Sequence, residues 1–154
     1  GNTTEEVGEW ISQETFSSTD DLNKKIKKLG KYDAILVPAA LSDFIPTKNK
    51  GKISSNKIPE IKLKKAKKSI EMIRKKHNGI LCAFKLESGL KDKDLIEKGK
   101  ALLKNSDFVI ANHSEVLGNE KTKLAIITKE DTFWIEDTKI NASKSILKEI
   151  SKKI

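Results

Sequence analysis

At 154 residues, with 36% hydrophobic and 34% charged positions, the chain is sized for one ordinary domain with a core, which excludes collagen-like and low-complexity classes. Its one cysteine, Cys82, excludes an internal disulfide framework and a multi-cysteine zinc site, and points to a reducing compartment. The net charge of +9 is concentrated: Ile45–Asn78 holds eleven Lys, Arg74 and only two acids, Glu60 and Glu71, so the remainder is close to neutral.

Thr3 and Glu6 are spaced as a capping box at the start of the chain. A second box, Ser18-Thr19-Asp20-Asp21, predicts a helix with Leu22, Ile26 and Leu29 on one face and Gly30 as its stop. Asp33–Pro38 is a continuous apolar run of strand length, as expected for a strand buried on both faces of a parallel sheet. Ala66, Ile70, Ile73 and His77 then share one face of a basic helix, followed by a strand at Gly79–Phe84. Leu95, Gly99, Leu102 and Leu103 line a helix ending near Asn105, before a strand at Asp107–Ala111. Lys123–Thr128 and Thr132–Glu136 read as a hairpin closed at Lys129-Glu130-Asp131. A last helix from about Ala142 carries Ile146, Leu147, Ile150 and Ile154 on its apolar face.

This alternation predicts an α/β fold: a mostly parallel sheet with helices on both faces and an antiparallel hairpin extending one edge. The exception is Phe44–Lys65, more than twenty residues without a helix, within which Gly51–Ser54 and Glu60–Lys64 are expected to pair as a projecting arm. No apolar run approaches the roughly 18–20 residues of a membrane span, and no signal-peptide pattern opens the chain. The expectation is a soluble cytoplasmic domain.

In open parallel sheets, ligands bind beyond the carboxyl ends of the strands. Three such ends carry candidate residues: Ala39 to Phe44, Phe84 to Glu87, and Ala111 to Ser114. Ala39 and Ala40 allow close approach to the backbone. Asp43 suits a ribose hydroxyl or a divalent cation, its plainer role being a turn or helix cap. Glu87 and Asn112 are candidates on the substrate side. The concentrated positive charge suits nucleotide phosphates or a nucleic-acid backbone, the plainer alternative being a solvated lysine-rich face. His77 and His113 lie far apart in the chain and make no metal site, and Cys82, mid-strand, reads as a packing residue.

Ala39-Ala40-Leu41-Ser42-Asp43-Phe44, Gly51-Lys52-Ile53, Phe84-x-x-Glu87 and Ala111-Asn112, in this order and spacing, resemble the phosphopantothenoylcysteine synthetase (phosphopantothenate–cysteine ligase) family between about Asp33 and Asp137. That family is the synthetase half of bifunctional coenzyme A biosynthesis proteins. The resemblance implies a Rossmann-like fold and a ligase joining 4'-phosphopantothenate to cysteine through an acyl-nucleotidylate made from CTP (or ATP), with Mg²⁺ carried on the nucleotide phosphates. It implies that residues 44–65 form an arm and lid that builds a homodimer. It also assigns Lys52 as the catalytic lid lysine and Ala39, Asp43, Lys52, Phe84, Lys100 and Lys104 as the nucleotide-binding set, with Phe84 packed on the base. Positioned cations that stabilise spread negative charge are what nucleotidyl transfer requires, and lysine is a compact phosphate-binding charge.

The chain departs from the family pattern in several places. It contains neither the Gly-rich turn nor the Asn-x-Ser-Ser-Gly segment that precede these motifs in the family. Lys85 follows Phe84 in place of alanine, Lys64–Lys68 replaces Lys-Asn-Pro-Asp, and His113 replaces the aspartate after Ala-Asn. These departures imply an archaeal-like, single partial synthetase domain over residues 1–154 with low activity on its own. Two other classes are weighed against this one: a basic nucleic-acid-binding module using Lys48–Lys76, and a non-catalytic oligomerisation domain. The nucleic-acid reading accounts for the charge but not for the polar residues at strand ends, and it lacks interleaved aromatics. Nucleic acid and membrane are therefore not expected partners.

Overall fold

The computed structural model describes residues 7–47, 51, 58 and 60–154. In chain order the elements are α1 (Thr19–Lys27), β1 (Ala34–Val37), β2 (Phe44–Pro46), β3 (Leu63–Lys65), α2 (Ser69–Arg74), β4 (Ile80–Glu87), α3 (Asp92–Lys100), β5 (Phe108–His113), β6 (Lys121–Ile127), β7 (Thr132–Thr138) and α4 (Lys139–Ser151). Single 3-10 turns occupy Ala101–Lys104 and Ser114–Val116. The chain forms two compact units, Gly30–Ala39 with Ile73–Ile154 and Gly1–Leu29 with Ala40–Met72, with α2 running across the boundary.

The larger unit is built on a five-stranded sheet in the order β1-β4-β5-β6-β7. The β1–β4 and β4–β5 pairs are parallel, while β5–β6 and β6–β7 are antiparallel. The expected parallel sheet with an antiparallel hairpin on one edge is therefore present. Strand alternation sends Ile80, Cys82, Phe108, Ile110, Leu124 and Ile126 to one face, where Ala142, Ile146 and Ile150 of α4 cover them. The opposite face takes α3. Gly99 lets the helix come close there: a Cβ on it would lie 2.5 Å from Cδ1 of Ile127, the flexible end of that side chain, and 3.6 Å from side-chain atoms of Val109 and Ala111. Leu95, one turn earlier, is fully buried.

β4 and β5 run three and two residues further than the apolar runs suggest, because Lys85–Glu87 continues the ladder opposite Ala111–His113. α4 begins at Lys139, before the first apolar residue, since Thr138 caps it by accepting from Asn141 N–H at 3.3 Å. α2 is shorter than the periodicity predicts. Its end is fixed by Arg74, whose guanidinium donates to the carbonyls of His77 and Gly79 (2.8 Å for Gly79) and to Asp107 Oδ2 at 2.9 Å. The same Asp107 oxygen accepts from Leu81 N–H at 2.8 Å. His77, expected on the helix, lies beyond it, buried, with Nε2 3.0 Å from the carbonyl of Ile80.

In the smaller unit, α1 starts where the second capping box predicts. Ser18 Oγ accepts from Asp21 N–H at 3.2 Å, and Asp21 Oδ2 accepts from Ser17 N–H at 3.1 Å. The first box, Thr3 to Glu6, lies outside the described residues. The arm pairs differently from the expectation: β3 runs antiparallel to β2, with Phe44 opposite Lys65 and Pro46 opposite Leu63. Of the expected partner Gly51–Ser54, only Gly51 is described, in a bend at φ 90°. Ala66 N–H donates to Asp43 C=O at 2.8 Å, which ties Ala66 to the arm and explains why α2 begins only at Ser69.

Candidate functional site

In the larger unit the carboxyl ends of β4 and β5 carry a dense set of charges on the α3 face. Glu87 accepts from Lys85 at 2.7 Å on one oxygen and from Lys98 of α3 at 3.0 Å on the other. Hydrogen bonds from Lys85, then from Lys98, hold its carboxyl below the ordinary glutamate value. Asp92, the first residue of α3, meets His113 Nε2 at 2.8 Å through one oxygen and Lys123 at 2.7 Å through the other. Its carboxyl is also held low, first by Lys123 and then by His113. The Lys123 ammonium stands 4.6 Å from the centre of the Trp134 ring. Glu115 Oε1 accepts from Gly89 N–H at 3.1 Å and closes the rim.

The sequence-predicted residues of this unit do not all meet. Ala39 is exposed just past β1. Phe84 lies half-buried against the core on the α4 face. Asn112, half-buried, shares that face by alternation and stands between Leu86 and Leu124 in register. Lys100 and Lys104 lie on the other side. Gly99 packs at the level of Val109, Ala111 and Ile127, and Lys100, exposed, stands 3.7 Å from Glu97. Glu87 is on the α3 face with its lysines. Phe84 and Lys100 therefore occupy opposite faces, and a ligand lying flat on one face does not touch both.

Asp43 belongs to the smaller unit. It is exposed at the root of the arm and lines a cavity of about 240 Å³ with Phe44, Lys65, Ala66 and Lys68. Lys52 lies outside the described residues. The basic segment is not uniformly available for ligands, since Arg74 is committed to Asp107 and to backbone carbonyls. Cys82 is fully buried in β4, as expected of a packing residue, and burial pushes its thiol up to about 12. Sequence reasoning noted His113 as a replacement and as no metal ligand, and did not find its partners. Its partners Asp92 and Lys123 lie 21 and 10 residues away along the chain, so no local spacing announces the cluster.

The larger unit also holds a cavity of about 520 Å³ lined by Tyr32, Asp33, Gly79, Asp107, Glu130 and Lys153. It lies at the amino ends of β1 and β4, away from the edge where open α/β sheets bind ligands. Among the described residues no three His, Cys, Asp or Glu side chains gather for a metal ion, and no helix is long and apolar enough to cross a membrane.

Residues 1–154 match the DNA/pantothenate metabolism flavoprotein C-terminal domain family. The chain is 30% identical over 146 residues to the coenzyme A biosynthesis bifunctional protein CoaBC of Methanocaldococcus jannaschii, covering 92% of this chain and 36% of that protein. It is 34% identical over 157 residues to the protein of the same name from Borreliella burgdorferi, covering 96% and 40%. The chain thus spans two fifths or less of these relatives. Its fold is similar to the DNA/pantothenate metabolism flavoprotein of Streptococcus pneumoniae, with TM-score 0.76 and 23% identity over 89% of this chain and 71% of that one. It is also similar to a histidine-to-alanine variant of Cab2 in complex with phosphopantothenate-cysteine, with TM-score 0.64 and 19% identity over 89% and 50%.

Proposed function

This chain belongs to the DNA/pantothenate metabolism flavoprotein C-terminal domain family, and from that premise we propose that it is the ligase part of a coenzyme A biosynthesis protein, joining 4'-phosphopantothenate to cysteine. The observation that carries the reading is the family match along the whole chain, to which the ordered motifs at the strand ends add support. In the proposed reaction a carboxylate oxygen of 4'-phosphopantothenate attacks the α-phosphorus of CTP and pyrophosphate leaves. The cysteine amine then attacks the acyl carbon, CMP leaves, and the amine loses a proton.

In this reading Lys52 neutralises the triphosphate and the charge that develops in transfer, and Asp43 holds the ribose or the metal-bearing phosphates. One carboxylate sharing a cavity with Lys65 and Lys68 suits a triphosphate that brings Mg²⁺ with it better than a bare cation. Mg²⁺ supplies charge neutralisation on the phosphates. Phe84 and Ala39 face the base, and Asn112, on the same face as Phe84, lies toward the second substrate, while Glu87, on the α3 face with Lys85 and Lys98, reaches it only past the strand ends. Because Lys100 and Lys104 stand on the face opposite Phe84, their contribution to nucleotide binding is smaller than that of Lys52. Residues 44–65 serve as lid and as the contact of a homodimer.

Calorimetric titration tests this. CTP with Mg²⁺ is expected to bind the wild-type chain, with affinity falling about tenfold or more in Lys52→Ala and less in Lys100→Ala, and ATP run in parallel reports the base preference. Binding of a duplex oligonucleotide instead, base-indifferent and steeply salt-dependent, would overturn the ligase reading in favour of a nucleic-acid module.

A further inference from the structure

The cavity of about 520 Å³ at the amino ends of β1 and β4 takes no part in the ligase reading, and all of it lies within the larger unit. Its size is that of a small-molecule pocket. Strand order fixes how its charges are spread. Asp33 stands just before β1, Gly79 just before β4 and Asp107 just before β5, while Lys129 and Glu130 lie in the turn after β6. Neighbouring strands are about 4.8 Å apart, so the two aspartates flank Gly79 with their backbones about 10 Å apart, and Lys129 lies one strand further on. Gly79 puts no side chain between the two acids. Pairing within the cavity is incomplete. Asp107 gives Oδ2 to Arg74 at 2.9 Å and to Leu81 N–H at 2.8 Å, and its Oδ1 accepts nothing from the described residues. Glu130 is matched by Lys153 at 3.3 Å. Among the described residues neither the Asp33 carboxylate nor the Lys129 ammonium has a side-chain or backbone partner.

One uncancelled negative charge on the β1 side and one uncancelled positive charge at the β6–β7 turn give the cavity two poles. A simple cation leaves Lys129 unmatched, a simple anion leaves Asp33 unmatched, and no three carboxylates gather here for a metal ion. A ligand carrying both signs matches both poles. We propose that this cavity binds a short dipolar ligand, an ammonium at one end and a carboxylate at the other, with the chemistry of a dipeptide with free ends. Its ammonium donates to Asp33 and to Asp107 Oδ1, its carboxylate accepts from Lys129, and its body lies against the exposed side chains of Tyr32 and Ile154. The backbones that carry the two poles are three strands, about 14 Å, apart. Two extended residues span about 7 Å and bridge the poles, whereas a free amino acid carries both groups on one carbon and reaches one pole at a time. The proposal stands without the ligase reading, whose residues it does not share.

The test is a heteronuclear NMR titration of the full chain with leucylglycine. The dipeptide is expected to shift the amide resonances of residues 32–33, 78–80, 107 and 129–130 at millimolar concentration. N-acetyl-leucylglycine, which lacks the ammonium, and leucylglycine amide, which lacks the carboxylate, should each bind about fivefold or more weakly. Two variants locate the ends. Asp33→Asn should weaken leucylglycine by about fivefold and abolish the preference for a free ammonium. Lys129→Gln should weaken it similarly and abolish the preference for a free carboxylate, while Lys144→Gln on α4 should change binding less than about twofold. Four results would overturn the proposal. They are no shift at up to about 50 mM dipeptide, equal binding of either blocked form, unchanged end preferences in both variants, or free leucine or cysteine binding here as tightly as the dipeptide. A chain that takes up no CTP yet shows these shifts sinks the ligase reading alone, and the reverse result sinks only this one.

Discussion

Asp92 gives each of its carboxylate oxygens one partner, His113 on one and the Lys123 ammonium on the other, and it does so at the first turn of α3, where a negative charge is also favoured by the helix dipole. Its carboxyl is held below the ordinary value of 3.8, mainly by Lys123. A depressed folded-state value contributes stability that is present above 3.8 and is lost as pH falls through the folded value. Asp92→Asn is therefore expected to lower the urea midpoint at about pH 7, with the gap from wild type narrowing as pH falls below 3.8. A gap independent of pH would assign the effect to packing. Two glycines make a second comparison. A Cβ on Gly79 would stand 2.4 Å from the carbonyl oxygen of Asp33 and 2.9 Å from that of Tyr32, backbone atoms fixed by the start of the β1–β4 ladder. At Gly99 the nearest atom is the flexible end of Ile127. Gly79→Ala is expected to cost about 2–4 kcal/mol. Gly99→Ala, where better helix propensity offsets crowding, should stay within about 1 kcal/mol of wild type by chemical denaturation.

The elements divide by whether their cause is local. α1 was legible because its cap is encoded within four residues, Ser18 to Asp21. Ser18→Ala is expected to destabilise the chain by about 1 kcal/mol, read as a lower thermal midpoint. β4 and β5 were legible as apolar runs, since a strand covered on both faces has no polar positions to alternate with; β1 reads as the same kind of run, yet it is an edge strand whose four residues are all half-buried. The arm was not. Short-range alternation pointed Glu60–Lys64 toward Gly51–Ser54, but β3 pairs with β2, whose sequence neighbours lie some twenty residues back, and the Ala66–Asp43 hydrogen bond extends that ladder. The same bond removes Ala66 from α2, so one long-range contact accounts for both departures. α3 anchors through Leu95, fully buried, and Leu95→Ala is expected to cost about 2–5 kcal/mol in a urea titration.

At the scale of the whole chain, fold class was legible from the order of elements and the family from four short motifs, while the candidate site was legible only in part. The strand-end rule selects Ala39, Asp43, Glu87 and Asn112 as candidates because ligand sites in open sheets follow topology. It does not find which face each side chain takes. Phe84 and Lys100 share a motif set yet occupy opposite faces, a consequence of strand parity and helix position that no list of motifs contains. Charge was legible as an amount and not as an arrangement: Arg74 is tied to Asp107, while Lys64 and Lys65 of β3 and Lys67 beyond it line a groove with α1.

Cys82 sits in β4 with β1 on one side and β5 on the other, Leu36 and Phe108 its register partners. Its sulfur, on the face that Ala142, Ile146 and Ile150 of α4 cover and reluctant to ionise, meets a reagent only when α4 lifts from the sheet or the strands part. The chain thus contains its own clock for breathing of the sheet, with no engineered label required. Under native conditions the rate at which a thiol-reactive dye is consumed counts openings, and in Gly79→Ala its logarithm should rise with the stability that substitution removes.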